Sequence, residues 1–272
     1  MVDIRLACGI SFTVDLRERF WRQIAAQGSH ERDLEEFLLS VVKPGNVILD
    51  IGAHVGIYTV IAAKLTKGVG HVYSFEPDPH NYEGLKRSIL VNNLANVSPV
   101  QLALGDRDMD KVTFYRSDSF YGSLQTTETV HGEKEMLKNM DGYEIGMRTV
   151  DSFLAEQGIA HVDVVKIDVD GPELMVLSGA QRLLGSSTPP MLIVEVSRYT
   201  QDWGYSYADI HDFLTRFNYR VYATTRKSLQ VVPIHSPEDF KFDVFRRGGA
   251  VNLYCIVPDS HEESLRALWF TD

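Results

Sequence analysis

Val47-Ile48-Leu49-Asp50-Ile51-Gly52-Ala53-His54-Val55-Gly56 reads as a buried strand that ends in a glycine turn, with a helix to follow. The apolar run is short and β-branched, as a strand covered on both faces is. Gly52 lets the backbone turn sharply, Gly56 lets the helix pack near the strand, and free N–H groups at the helix start are expected to face a crevice. A dinucleotide fingerprint has the form GxGxxG, with three glycines wrapping a pyrophosphate. Here Gly52 and Gly56 are spaced as GxxxG, behind an acid at Asp50. A carboxylate near the turn suits the α-ammonium of S-adenosylmethionine better than it suits a phosphate, so charge favours the sulfonium donor.

Outward from this turn, β-branched apolar runs alternate with helical patterns from Asn46 to Tyr222, the signature of βαβ units around a parallel sheet. Strands are expected at Val47–Ile51, Gly70–Phe75, Val97–Leu102, Val162–Ile167, Met191–Val196 and Tyr219–Ala223, with helices beginning near Val55, Asn81, Val150, Pro172 and Tyr207. The fold class is α/β and Rossmann-like: a mostly parallel sheet with helices on both faces. The apolar run Ala250–Val257 is expected to add an antiparallel edge strand near the C-terminus. Residues 1–45 read as an N-terminal lid or packing segment, in which Leu34, Phe37, Leu38 and Val41 fall at helical spacing before Pro44-Gly45. Residues 46–272 read as the donor-binding domain, interrupted at 117–146 by a stretch without period that is expected to be a flap near the acceptor, with a short helix from Glu133 to Met140.

Acids sit at the expected strand ends. Val72-Tyr-Ser-Phe-Glu76 is followed by Pro77, and a carboxylate there can accept both ribose hydroxyls, a role shared with nicotinamide enzymes. The third strand, ending near Leu102-Ala103-Leu104-Gly105, would wall the adenine, or would be a plain buried strand end. Lys166 is an anomaly inside the apolar strand Val162–Ile167, since a buried ammonium needs a partner. Alternation puts it on the same face as Asp168, so a mutual salt bridge and a catalytic part stand as equal readings. Asp170 and Glu173 flank Gly171-Pro172, where acids also suit a helix start. Glu195, amid the apolar run Met191–Val196, calls for Lys166, a divalent metal or a substrate proton. Tyr199, Trp203, Tyr205 and Tyr207 would stack on a sugar or aromatic acceptor, or simply pack. His54, inside the turn, is the expected neutral base, or else lines the methionine end of the donor.

These segments resemble the FkbM-type methyltransferases: LDIGAHVGIYT (Leu49 to Thr59), VYSFEPDPHNYEGLKRSILVNN (Val72 to Asn93), ALGDRD (Ala103 to Asp108), RTVDSFL (Arg148 to Leu154), VDVVKIDVDGPELMVLSGA (Val162 to Ala180) and PMLIVEV (Pro190 to Val196). The resemblance runs from about Gly28 to Thr224. It implies a class I methyltransferase fold, S-adenosylmethionine as donor and O-methylation of sugars or secondary metabolites. It also implies that Asp50, Gly52 and Glu76 are cofactor residues. His54 stands where the family usually has asparagine, and Asp170 where it usually has glutamate.

The donor-binding set expected from all this is Glu31, Asp50, Gly52, Ala53, His54 and Gly56, together with Tyr58, Glu76, Pro77, Ala103 and Asp168. The catalytic set is Asp168, His54 and Lys166. A subordinate reading has magnesium held by Asp168 and Glu195, lowering the pKa of the acceptor hydroxyl.

Composition bounds the partners. A net charge of -10 argues against a broad grip on nucleic acid, which needs a basic face. Cys8 and Cys255 are the two cysteines, without metal-ligand spacing, so a reducing cytoplasm is expected. The opening MVDIRLACGISFTVD has no sustained apolar segment, and no stretch is long enough to cross a membrane. The expected partner is a small hydroxylated acceptor, with no nucleic acid and no membrane, and a homodimer as the assembly to test for. The rival readings are a nicotinamide-dependent oxidoreductase, which lacks its third glycine here, and a non-catalytic S-adenosylmethionine-binding protein. A nucleic-acid methyltransferase is disfavoured by charge and by the absence of an NPPY-like motif.

Overall fold

The computed structural model describes residues 1–261 apart from 8, 18, 116–122, 125–141, 225–230, 241–249 and 259. A hairpin, β1 (Val2–Arg5) and β2 (Ser11–Val14), leads into helices α1 (Arg19–Gln27) and α2 (Arg32–Val41). Then β3 (Val47–Ile51), α3 (Ile57–Leu65), β4 (His71–Phe75), α4 (Pro79–Val91) and β5 (Val97–Val100) alternate as the sequence pattern predicts. The chain next leaves the main sheet for β6 (Ala103–Leu104), β7 (Met109–Tyr115), β8 (Ser123–Leu124) and β9 (Gly142–Arg148). It returns through α5 (Val150–Gln157), β10 (Val164–Ile167), α6 (Glu173–Ser178), α7 (Gln181–Leu184), β11 (Met191–Ser197), α8 (Tyr207–Arg216), β12 (Arg220–Thr224), β13 (Val231–Ile234) and β14 (Ala250–Ile256).

The main sheet has the order β13-β12-β14-β11-β10-β3-β4-β5. From β11 to β5 every pairing is parallel. After β3 the chain builds outward through β4 and β5, then crosses back to place β10 on the other side of β3. The crevice at the carboxyl ends of β3 and β10 is therefore the switch point where open α/β sheets bind ligands. Along β3 the side chains alternate: Ile48 joins the cluster with Trp21, Leu34, Leu38 and Ile61, while Leu49 and Ile51 join the one with Phe153, Leu177 and Leu214. The sheet thus buries both faces, and the first helices of the chain cover one of them.

Two expectations need correction. The sheet does end on an antiparallel strand near the C-terminus, but that strand is β13. Ala250–Ile256 lies inside the sheet, antiparallel to both β11 and β12, which is why Val251–Ile256 is buried throughout. The aperiodic stretch also ends in structure. Gly142–Arg148 pairs with β7 in a separate four-stranded sheet of order β6-β9-β7-β8, around Ala103, Val112, Phe114, Ile145 and Met147. Gly142 and Gly146 masked its alternation. The rest of the expected flap, residues 116–122 and 125–141 with the helix at Glu133–Met140, lies outside the described residues. Helix α4 starts at Pro79, ahead of the expected Asn81, because the Asp78 carboxylate caps it by accepting from the N–H groups of His80 and Asn81.

Candidate active site

A cavity of about 930 Å³ opens over the carboxyl ends of β3, β4, β10 and β11, closed on one side by α1 and the start of α2. It lies near the top of the range of roughly 300–1,000 Å³ in which small-molecule sites fall. Of the expected donor residues, Glu31, Gly52, Ala53, His54, Tyr58, Glu76, Pro77, Ala103 and Asp168 line it, as do Lys166 and Glu195. Asp50 and Gly56 do not.

Gly52 (φ +80°) holds the turn against the end of β10: a Cβ there would sit 1.7 Å from the carbonyl oxygen of Asp168. Gly56 (φ +94°) serves packing, since its Cβ would press Leu85 of α4 at 2.7 Å. Three N–H groups of the turn are already taken by the end of β4. Gly52 and Ala53 donate to the carbonyl of Phe75 at 3.0 and 2.9 Å, and His54 donates to Glu76 Oε2 at 2.7 Å. Glu76 Oε1 also accepts from Asp78 N–H at 2.9 Å. Burial raises the Glu76 pKa to about 7 against the pull of these backbone donors.

Asp50 sits beneath the cavity, 2% exposed, where Oδ2 accepts from the Thr59 hydroxyl at 2.6 Å. Lys166 pairs with it across the β3–β10 register, with its ammonium 3.6 Å from Asp50 Oδ1 and 2.8 Å from Asp168 Oδ2. The Lys166 ammonium also stands 5.0 Å over the ring of Tyr58. Burial alone would lower the Lys166 pKa, but Asp168 and then Asp50 more than offset it, and the net direction is upward. Lys166 therefore acts as a counter-ion and has no free base to offer at neutral pH.

Glu31 comes from the residue that precedes α2 and reaches the same space. The Tyr58 hydroxyl donates to its Oε2 at 2.5 Å, and the Asn252 amide of β14 donates to Oε1 at 3.3 Å. Burial, then the Asp168 charge, lifts Glu31 to about 7. His54 adopts φ +50° and its ring meets Phe20 edge-on at 4.9 Å. Burial drops its pKa to about 4, which makes it a neutral but weak base.

One oxygen each of Asp168, Asp170 and Glu195 lies within 4.8 Å of the others. Asp170 rises to about 8 through burial and then the charges of Asp168 and Glu173, while burial, Asp168, Glu31 and Asp170 push Glu195 well upward. The pair expected to share a metal is thus adjacent, with Asp170 as a third acid. Sequence reasoning missed Phe20, His30, Thr224 and Asn252 in the lining. For Asn252 a signal existed: it is a lone amide inside the apolar run Ala250–Val257, buried at 6% exposure. The aromatic loop divides, with Tyr199 lining the cavity and Tyr207 stacking on Phe240 at 3.7 Å.

The family model described as the methyltransferase FkbM domain matches residues 50–221. The hexuronic acid methyltransferase AglP of Haloferax volcanii is 30% identical over 187 residues, covering 68% of this chain and 69% of that protein. The 31-O-demethyl-FK506 methyltransferase FkbM of Streptomyces tacrolimicus is 24% identical over 162 residues, covering 52% of this chain and 61% of that protein. The 2-O-methyltransferase NoeI of Sinorhizobium fredii is 24% identical over 150 residues, covering 52% of this chain and 60% of that protein. The chain thus spans about six tenths of the length of the last two.

Proposed function

From the premise that this chain belongs to the FkbM methyltransferase family and is an S-adenosylmethionine-dependent methyltransferase, we propose that it methylates a hydroxyl of a small molecule, a sugar or a secondary metabolite. One observation carries the choice of donor. The His54 N–H, which a pyrophosphate would need, is given to the Glu76 carboxylate at 2.7 Å. A carboxylate there repels phosphate and leaves lone pairs for ribose hydroxyls. The nicotinamide reading is therefore set aside. In the proposed pose Glu76 takes the ribose, Pro77 and Ala103 flank the adenine, and the α-ammonium faces Glu31 and Asp168. Asp50 acts from below by fixing Lys166. Two relatives carry an oxygen position in their names, which supports oxygen as the acceptor atom.

The donor supplies an electrophilic methyl on a positive sulfur. The chain's own part is to align the acceptor oxygen with it and to remove one proton. Alignment contributes about 7 to 11 kcal/mol in well-oriented systems. Asp168 is the proposed proton acceptor: Oδ2 holds Lys166, Oδ1 takes no hydrogen bond among the described residues, and the side chain lines the cavity. His54, with its pKa near 4, is the weaker choice. Magnesium on Asp168, Asp170 and Glu195 is a second reading, favoured by their convergence; turnover unchanged by chelator would remove it. No helix among the described residues is long and apolar enough to cross a membrane, and the proposed setting is the cytoplasm.

Calorimetric titration with S-adenosylmethionine, S-adenosylhomocysteine and NADH tests the donor. Saturable binding of the sulfur compounds alone is expected, followed by S-adenosylhomocysteine release on adding hydroxylated acceptors. Binding of NADH alone would overturn the reading.

A further inference from the structure

Helix α1 turns one stripe of residues to the core and the adjoining stripe to the cavity. Trp21 and Ile24, three residues apart, are 2% and 0% exposed and pin the helix. Phe20, Gln23 and Gln27 fall on the adjoining stripe and line the cavity. The Trp21 ring meets Phe20 edge-on at 5.5 Å, so the anchored residue steadies the ring beside it.

Phe20 is the middle of a row of rings. It stands 4.9 Å from His54 on one side and 4.9 Å from His30 on the other, at about 70° to each, and His30 continues to Tyr58 at 6.2 Å. All four residues line the cavity, and Phe20 and His54 are half-buried. Carboxylates fix the two ends of the row. The His54 N–H donates to Glu76 at 2.7 Å, and the Tyr58 hydroxyl donates to Glu31 at 2.5 Å. One ring already carries a cation, since the Lys166 ammonium stands 5.0 Å over Tyr58.

In S-adenosylmethionine the sulfur lies between the ribose and the α-ammonium. With ribose at Glu76 and the ammonium at Glu31 and Asp168, the row runs beside the part of the donor that changes in the reaction. We propose that Phe20, flanked by His54 and His30, is a specificity-determining residue that recognises the positive charge on the donor sulfur. Aromatic faces attract a cation within about 6 Å, and more strongly where water is excluded. The attraction ends when the methyl leaves and the sulfur becomes neutral, so the row favours fresh donor over spent product. Ribose and ammonium are common to both compounds, so the hydrogen bonds at the two ends of the row give no such preference by themselves.

The inference rests on the proposed donor, and calorimetry separates the two. S-Adenosylmethionine, S-adenosylhomocysteine and sinefungin, in which a carbon bearing an ammonium replaces the methylated sulfur, are titrated into each variant at about pH 8, where both imidazoles are neutral. Phe20→Leu keeps an apolar side chain and removes the ring. It is expected to weaken S-adenosylmethionine relative to S-adenosylhomocysteine by about threefold or more, with sinefungin weakened alongside the donor. Phe20→Tyr keeps the ring and should keep the ratio. Melting curves and S-adenosylhomocysteine binding serve as folding controls. A ratio unmoved in Phe20→Leu, a ratio lost equally in Phe20→Tyr, or sinefungin following the neutral product would each overturn the proposal. Should Phe20→Leu not melt cooperatively, His54→Asn, which suits the left-handed backbone at φ +50°, takes its place, and an unmoved ratio there overturns the proposal. Failure of the unmodified protein to bind either sulfur compound would instead overturn the donor reading.

Discussion

The ammonium of Lys166 stands 2.8 Å from the carboxylate of Asp168, two residues on and just past the end of β10, and 3.6 Å from Asp50 on the neighbouring strand. One buried cation thereby ties the floor beneath the glycine turn to the lip of the cavity. Lys166→Met keeps the volume and strands both carboxylates. Breaking a buried pair in this way costs about 3–5 kcal/mol. Urea unfolding should show the unfolding free energy lowered by that amount and the midpoint lowered accordingly, whereas Lys166→Arg should lose less.

Glycine at 52 is demanded by a neighbour as well as by its own φ. Gly52→Ala pushes a methyl into the Asp168 carbonyl, backbone that cannot step aside, and is expected to destabilise by about 4 kcal/mol or more. Gly56→Ala meets the end of the Leu85 side chain, which can turn, so the strain of its positive φ dominates at about 1–2 kcal/mol. Denaturation of the two variants side by side checks the ranking.

Removing the Glu76 carboxylate should cost donor affinity before anything else. In the proposed pose Glu76→Ala loses two charge-assisted hydrogen bonds to ribose, and the dissociation constant for S-adenosylmethionine should then rise about a hundredfold, or about 2.7 kcal/mol. Glu76→Gln should lie between. Calorimetry that found affinity unaltered in both would displace the donor from this end of the cavity.

The empty protein should lose stability as pH rises. Glu31, Glu76 and Glu173 stand at about 7 and Asp170 at about 8, all above their unfolded values. Each binds its proton more tightly when folded, so the stability it lends is whole below about pH 4 and is lost as pH climbs through 7 to 8. A cationic donor favours the ionised forms. S-Adenosylmethionine should therefore raise Tm more at pH 8 than at pH 6, and melting curves at the two values decide the point.

His54→Asn retains a side chain that tolerates the left-handed backbone and gives up the imidazole. Because burial already holds His54 near 4, methyl transfer should fall by less than about tenfold, with no limb near pH 6.5 disappearing from the rate profile. A fall of a hundredfold or more would restore His54 as the base.

What could be read in the sequence was local. Strand β3, its glycine turn and the acids closing β4 and β10 are written in contiguous residues, and periodicity placed them within a residue or two. Pairings between distant segments are not written that way. Nothing near Asp50 says that its carboxylate is spent on Thr59 and Lys166, and nothing in Ala250–Ile256 says that two strands flank it and not one. The partners of the Gly52, Ala53 and His54 N–H groups were equally out of local reach, since the Phe75 carbonyl and the Glu76 carboxylate lie at the end of the next strand.

The late insertion of β14 between β11 and β12 carries a consequence in time. Glu31 waits for Asn252, which is 221 residues further along, and Asp33 waits across the same interval for Tyr254. A chain emerging from the ribosome can fold the glycine turn, β4 and even β10 while this side of the cavity still has no wall. Methyl transfer should therefore switch on only once β14 has emerged, and a chain cut short before that strand would have little means of spending donor.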